Sequence, residues 1–179
     1  MRHNSIIAAL RDPSLLASAC ASSVDTVFLL SGGINDLPEH CRRLRQAGKQ
    51  VFLHVDLLAG LKPDSCGIAF LRQHCQPSGV ISTKVQCLKL AKEAGMQTIL
   101  RCFIIDSSAL HTGAQLLSQC KPDYVEVLPG VSSKIIRLAV QHYRIPVIAG
   151  GLIAEAQDID AAIAAGAAAV STSQATLWG

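Results

Sequence analysis

The chain has 179 residues, 50% of them hydrophobic and 16% charged, with a net charge of +3; this fits one domain, 1–179, with a sizeable core and excludes a disordered tail. The mild positive charge falls short of the dense basic surface of a dedicated nucleic-acid binder, and no apolar run reaches the roughly 18 residues of a membrane span. Seven cysteines, none closer than nine apart, form neither a CxxC pair nor a zinc knuckle, so with no secretory leader in view the expectation is a cytoplasmic protein with free thiols and no metal or cofactor.

Taken in order, the chain alternates strand-length apolar runs with helical stretches. A helix around 13–20 opens it, followed by strands at 26–30, 51–56, 79–82, 98–105, 124–128, 146–149 and 168–171. Between them lie helical segments at 36–47, 67–75, 85–94, 107–120, 132–142 and 155–165, three of which stop at Ala47-Gly48, Ala94-Gly95 and Ala165-Gly166, where glycine can take the left-handed conformation that ends a helix.

Strict β-then-α order predicts a parallel sheet, which an open doubly wound fold and a closed barrel both satisfy. Polar residues at alternate strand positions, and small-residue turns after the last strands instead of the first, favour the barrel. Seven strands are visible where eight are needed. The expected fold is therefore a small TIM-type β/α barrel, on this count an incomplete one.

Side chains alternate across a strand, so parity says which residues share a face. In Tyr124-Val-Glu-Val-Leu128 the valines suit the helix-covered exterior and Glu126 points inward; in the 98–105 strand Ile99, Arg101 and Phe103 share one face. Arg101 and Glu126 are thus expected to meet, either as a structural buried pair or as ligand contacts. The same parity groups His54 with Asp56 and Ser82 with Lys84. His54 can be a satisfied core histidine or a ligand contact. Lys84, directly after a strand, places an ammonium at the barrel mouth, where it can neutralise a phosphate or form a Schiff base.

Two turns near the C-terminus carry the sharpest signal: Pro146-Val-Ile-Ala-Gly150-Gly151, and Ala167-Ala-Ala-Val170-Ser171-Thr172-Ser173. Each alone is a tight turn or a helix cap. Together, on the last two strands of a barrel, their backbone N–H groups make a phosphate cradle. The candidate phosphate set is Gly150, Gly151, Ser171, Thr172, Ser173 and Lys84, with His54, Asp56, Arg101 and Glu126 orienting the rest of the ligand. Arg42, Arg43, Arg45 and Lys49 form a basic helical stretch, which can be a solvated face or a weak nucleic-acid surface.

These motifs resemble the glycerol-3-phosphate responsive antiterminator family. The segments that carry the resemblance are Val27-Phe-Leu-Leu-Ser-Gly32, Ala47-Gly-Lys-Gln-Val-Phe-Leu-His-Val-Asp56, Gly79-Val-Ile-Ser-Thr-Lys84, Asp106-Ser-Ser-Ala-Leu-His-Thr-Gly113, Lys121-Pro-Asp-Tyr-Val-Glu-Val-Leu-Pro-Gly130, Pro146-Val-Ile-Ala-Gly-Gly-Leu-Ile153 and Ala169-Val-Ser-Thr-Ser173. The resemblance implies a β/α barrel that binds glycerol 3-phosphate and the mRNA leader of glycerol operons, acting as a transcription antiterminator and not as a catalyst. It gives the ligand its identity and points to the RNA partner; self-association stays open. Two alternatives stand beside it: a barrel enzyme of aldolase, isomerase or epimerase type acting on a triose or sugar phosphate through Lys84 or Glu126, and a metabolite-binding module with a protein partner.

Overall fold

A computed structural model describes residues 5–179. Eight parallel strands close into one ring in sequence order: β1 Ile6–Leu10, β2 Thr26–Leu29, β3 Gln50–His54, β4 Gly79–Ser82, β5 Gln97–Phe103, β6 Tyr124–Leu128, β7 Val147–Gly150 and β8 Ala169–Thr172. The intervening helices are α1 Leu16–Ala21, α2 Leu37–Gln46, α3 Ser65–Phe70, α4 Val85–Glu93, α5 Ser107–Cys120, α6 Ser133–Tyr143 and α7 Ala156–Ala164. This is the TIM-type barrel expected from the β-then-α order.

The expectation of seven strands and an incomplete barrel is corrected. β1 pairs with β2 from Ile7↔Thr26 to Leu10↔Leu29 and with β8 from Ile6↔Val170 to Ala8↔Thr172, and so closes the ring. Its sequence, Ile-Ile-Ala-Ala-Leu, is apolar throughout because both of its faces are covered, and such a run carries no alternation by which to recognise a strand.

Alternation divides the core in two. Ile7, Ala9, Phe28, Leu30, Phe52, Ile81, Ile99, Ile148 and Ala169 fill the lumen, where the Phe28 and Phe52 rings meet edge-on at 5.7 Å between centroids. Their strand neighbours, among them Val27, Leu53, Leu100, Val125 and Val127, pack outward against the helices. The outward parity assigned to Val125 and Val127 is therefore the one observed, and Ile99 lies on the opposite, lumen side.

Two boundaries move for local reasons. β3 ends at His54, and Val55–Leu57 forms a 3-10 turn that takes Asp56 out of the strand. The helix expected at 67–75 begins earlier, where Asp64 accepts the Gly67 amide at 2.9 Å, and its second half, Leu71–Cys75, widens into a π turn.

Packing in the lumen admits no extra atom at Gly79. A Cβ there would meet the Gln97 carbonyl oxygen and stand 2.5 Å from Phe52 Cε1. Overpacking of this kind costs about 1–3 kcal/mol. Gly79→Ala is expected to lower Tm by about 4–8 °C for a loss of about 2 kcal/mol in a chain of this size, measured by thermal unfolding; an unchanged Tm would mean that the Phe52 ring can yield.

Candidate functional site

A cavity of about 490 Å³ opens at the C-terminal ends of the strands, bounded by the segments that follow β1, β7 and β8. Its floor is built from the lumen outward. Glu126 and Arg101 project inward from neighbouring strands, in register with each other, and Arg101 Nε donates to Glu126 Oε2 at 2.7 Å with both side chains buried. Ser171 Oγ donates to the other carboxylate oxygen at 2.7 Å. Glu126 thus has both oxygens occupied, while Arg101 lines the cavity and has no hydrogen-bond partner other than Glu126 among the described residues.

Gly150 makes this arrangement possible. A Cβ at that position would sit 2.5 Å from Glu126 Oε1 and 2.6 Å from Ser171 Oγ, so the space a side chain would take is held by the carboxylate and the hydroxyl. Sequence reading assigned Gly150 to the phosphate cradle; it lies one layer below the cavity wall and its carbonyl accepts the Gly130 amide at 2.6 Å.

The two C-terminal turns stand side by side, with Gly150 paired to Ser171. Thr172 locks them together: its hydroxyl donates to the Ile153 carbonyl at 2.8 Å and accepts the Gln174 amide at 3.1 Å. Behind them Trp178, fully buried, donates Nε1–H to the Thr172 carbonyl at 2.9 Å. Gly151 (φ 83°) and Leu152 (φ 61°) both adopt the left-handed conformation, which is costly for a branched residue such as leucine and is typically held only where the surrounding structure requires it. The amides of Gly151, Leu152 and Ser173 meet no acceptor among the described residues. The first amides of α7 are not free in the same way, since Ala154 N and Glu155 N both donate to Asp158, at 2.9 and 3.0 Å.

Of the ten residues expected to hold a ligand, Gly151, Ser171, Thr172, Ser173 and Arg101 line this cavity. Glu126 stands behind Arg101 and Ser171. Asp56 is committed elsewhere: it accepts the Thr83 amide at 2.7 Å and the Ser82 and Thr83 hydroxyls at 2.9 and 3.0 Å. Burial alone would raise its carboxyl, but those donors outweigh burial and hold it below the usual range. Lys84 follows Asp56, its ammonium 3.8 Å from Oδ1, half-exposed and off the cavity wall. The alternation rule fails at both because neither lies in a strand.

His54 is buried in the lumen wall with Nδ1 unpartnered. Burial, reinforced by the Arg101 charge, pushes its pKa down to about 4, so it is neutral at pH 7.

Arg11 was missed. It lines the cavity directly after β1, and because that strand carries no alternation the arginine reads as part of a leading segment. Its signal is the order apolar run, Arg11, Asp12, Pro13, in which Asp12 caps the following 3-10 turn by accepting the Ser14 amide at 2.9 Å.

The basic stretch runs from the middle of α2 to the start of β3. Lys49 precedes β3 and donates to the Ser22 and Val24 carbonyls at 2.5 and 2.9 Å, and Arg45 donates to the Gln76 carbonyl and side chain. Arg42 pairs with Glu39 at 2.6 Å, and Arg43 is exposed. Lys49, just before β3, is a strand length from the cavity end of the barrel, about 16 Å at 3.3 Å per residue. Among the described residues no cluster of three or more His, Cys, Asp or Glu is arranged to hold a metal ion, and no helix is long and apolar enough to cross a membrane.

The His54 environment yields a signed pH effect. Its folded pKa of about 4 lies below the ordinary value of about 6.5, so the unfolded chain binds the extra proton between them. Stability is full above pH 6.5 and falls as pH drops toward 4, by up to about 1.4 kcal/mol per unit. Urea unfolding at pH 7 and pH 5 is expected to differ by about 2 kcal/mol in the wild type and by clearly less in His54→Gln; equal losses would assign the acid sensitivity to other groups.

A family model described as glycerol-3-phosphate responsive antiterminator matches residues 6–178. The chain is similar to a glycerol uptake operon antiterminator regulatory protein from Listeria monocytogenes, at 36% identity over 99% of this chain and 96% of that one, with a TM-score of 0.94. It is also similar to a glycerol uptake operon antiterminator-related protein from Thermotoga maritima, at 33% identity over 98% of each chain and a TM-score of 0.85. The Escherichia coli K12 protein YgcP is 36% identical over 178 residues, 99% of this chain and 93% of its own length. The chain belongs to the glycerol-3-phosphate responsive antiterminator family.

Proposed function

We propose that this protein binds glycerol 3-phosphate in the cavity at the mouth of its barrel and, when loaded, binds the mRNA leader of glycerol operons so that transcription passes a terminator. The observation that carries the reading is the juxtaposition, in one cavity, of unpartnered amides at Gly151, Leu152 and Ser173 with the Arg101 guanidinium. Amide donors of this kind suit a phosphate, and a guanidinium already paired with a carboxylate offers hydrogen bonds to hydroxyl oxygens without a surplus charge.

Catalysis is less well served by the same residues. A Schiff-base lysine or a carboxylate base must reach the reacting carbon. Lys84 is drawn to Asp56 outside the cavity, and Glu126 is engaged by Arg101 and Ser171. Regulation asks only that the ligand bind two conformations unequally, and a hundredfold difference, about 2.7 kcal/mol, is within reach of one phosphate. For the RNA, the exposed face of α2 with Arg42 and Arg43 supplies phosphate contacts, and a chain that is 4% aromatic favours backbone or shape recognition over base stacking.

At one hundred times its Kd, glycerol 3-phosphate is expected to stabilise the protein by about 2.7 kcal/mol and raise Tm by about 5–11 °C, while equimolar glycerol leaves Tm within a degree. Filter binding to a glycerol-operon leader is expected to tighten with the ligand and to weaken steeply with salt, with a log-log slope of about −0.7 per phosphate contacted on a single strand. No Tm shift would exclude the ligand reading; a ligand shift with salt-independent or ligand-independent RNA binding would exclude the antiterminator half.

A further inference from the structure

The cradle of amides leaves one question of charge unanswered. A phosphomonoester carries close to two negative charges at neutral pH, and the cavity wall contains two cations, Arg11 and Arg101, with no aspartate or glutamate among its lining residues. They are not equivalent. The positive charge of Arg101 is met by the Glu126 carboxylate 2.7 Å away. Arg11 is exposed, and none of the ion pairs among the described residues includes it.

The fold puts Arg11 beside the cradle. Ile7 and Ala9 of β1 face the lumen, and Arg11, the first residue after that strand, lines the same cavity as Gly151, Leu152 and Ser173. Ala8 pairs with Thr172 of β8, which sets Arg11 beside the Ser173–Gln174 turn, and both flank the same cavity. Asp12 and Pro13 start a capped 3-10 turn immediately afterward, so the side chain springs from a backbone anchored on both sides. Its field reaches the lumen, where it helps to keep His54 uncharged.

We propose that Arg11 is the counter-charge that seats the ligand's phosphate, closing the Gly151–Ser173 cradle from the β1 side, while the Arg101–Glu126 pair, neutral overall, receives the polyol end. This rests on the ligand reading above and gives that site a polarity: the phosphate lies toward β8 and β1 and the hydroxyls toward β5. A planar guanidinium can offer two parallel donors to phosphate oxygens, which an ammonium cannot, so lysine at this position restores charge but not geometry. Lys84, held by Asp56, takes no part.

Isothermal titration of the full chain with glycerol 3-phosphate, and separately with inorganic phosphate, tests this in wild type, Arg11→Gln, Arg11→Lys, Lys84→Gln and, as a charge control on exposed α4, Lys89→Gln. Arg11→Gln is expected to weaken both ligands about 10- to 100-fold, the value of one charge-assisted hydrogen-bonded contact, and to flatten the salt dependence of Kd. Arg11→Lys should recover part of the loss, and Lys84→Gln and Lys89→Gln should stay within about twofold of wild type. Because Arg11 is exposed, the variants are expected to unfold at the wild-type temperature, and each curve is recorded alongside. Wild type that binds while Arg11→Gln matches it, or a loss confined to Lys84→Gln, overturns the role of Arg11 and leaves the ligand reading standing. Wild type that binds neither phosphate overturns both.

Discussion

The site depends on one buried contact. Glu126 and Arg101 lie on adjacent strands inside the barrel, and removing Arg101 would leave the buried Glu126 carboxylate without its counter-charge, a penalty of about 3–5 kcal/mol for such pairs. The charges are tolerated because every carboxylate oxygen is used, one by Arg101 and one by Ser171. Glu126 therefore ties β5, β6 and β8 together and fixes the direction in which the guanidinium points. Gly150 on β7 completes the set by having no side chain where the carboxylate sits. Four consecutive strands thus contribute one atom group each to the floor, with no ligand needed to join them.

Above that floor the chemistry belongs to main chain more than to side chains. Side-chain hydroxyls that look available in the sequence are spent on structure: Ser171 on Glu126, and Thr172 on binding the β7 and β8 turns to each other. Their role is to hold the amides of Gly151, Leu152 and Ser173 in place. The left-handed leucine in the turn after β7 is part of that arrangement, since Leu152 lines the cavity and holds its conformation at some cost. A site made this way is preorganised, and preorganisation is what lets a small ligand bind without paying to order the loops that receive it.

Much of this was legible beforehand, for definite reasons. The strand and helix order, the inward pairing of Arg101 with Glu126 and the adjacency of the two C-terminal turns follow from periods of 2 and 3.6 and from glycine placement, and these hold wherever the backbone is regular. What escaped lies where regularity stops. β1 is covered on both faces and so has no alternation, and with it went Arg11. Asp56 and Lys84 come after the last regular residue of their strands, where a 3-10 turn and a helix cap reset the direction of the side chains, so parity placed them in the lumen while Asp56 is held by Ser82 and Thr83 and pairs with the Lys84 ammonium at the rim. The partner of a cation in a loop is chosen by the nearest carboxylate, which local sequence does not contain.

The central claim is that the ligand's phosphate occupies the amide cradle between the β7 and β8 turns. The most direct measurement is a titration of uniformly 15N-labelled protein with glycerol 3-phosphate followed by amide chemical shifts. The account predicts that the Gly151, Leu152 and Ser173 amides move furthest and saturate together, as expected for N–H groups that acquire an anionic acceptor. Shifts centred instead on Thr83 and Lys84, with those three amides unmoved, would contradict it.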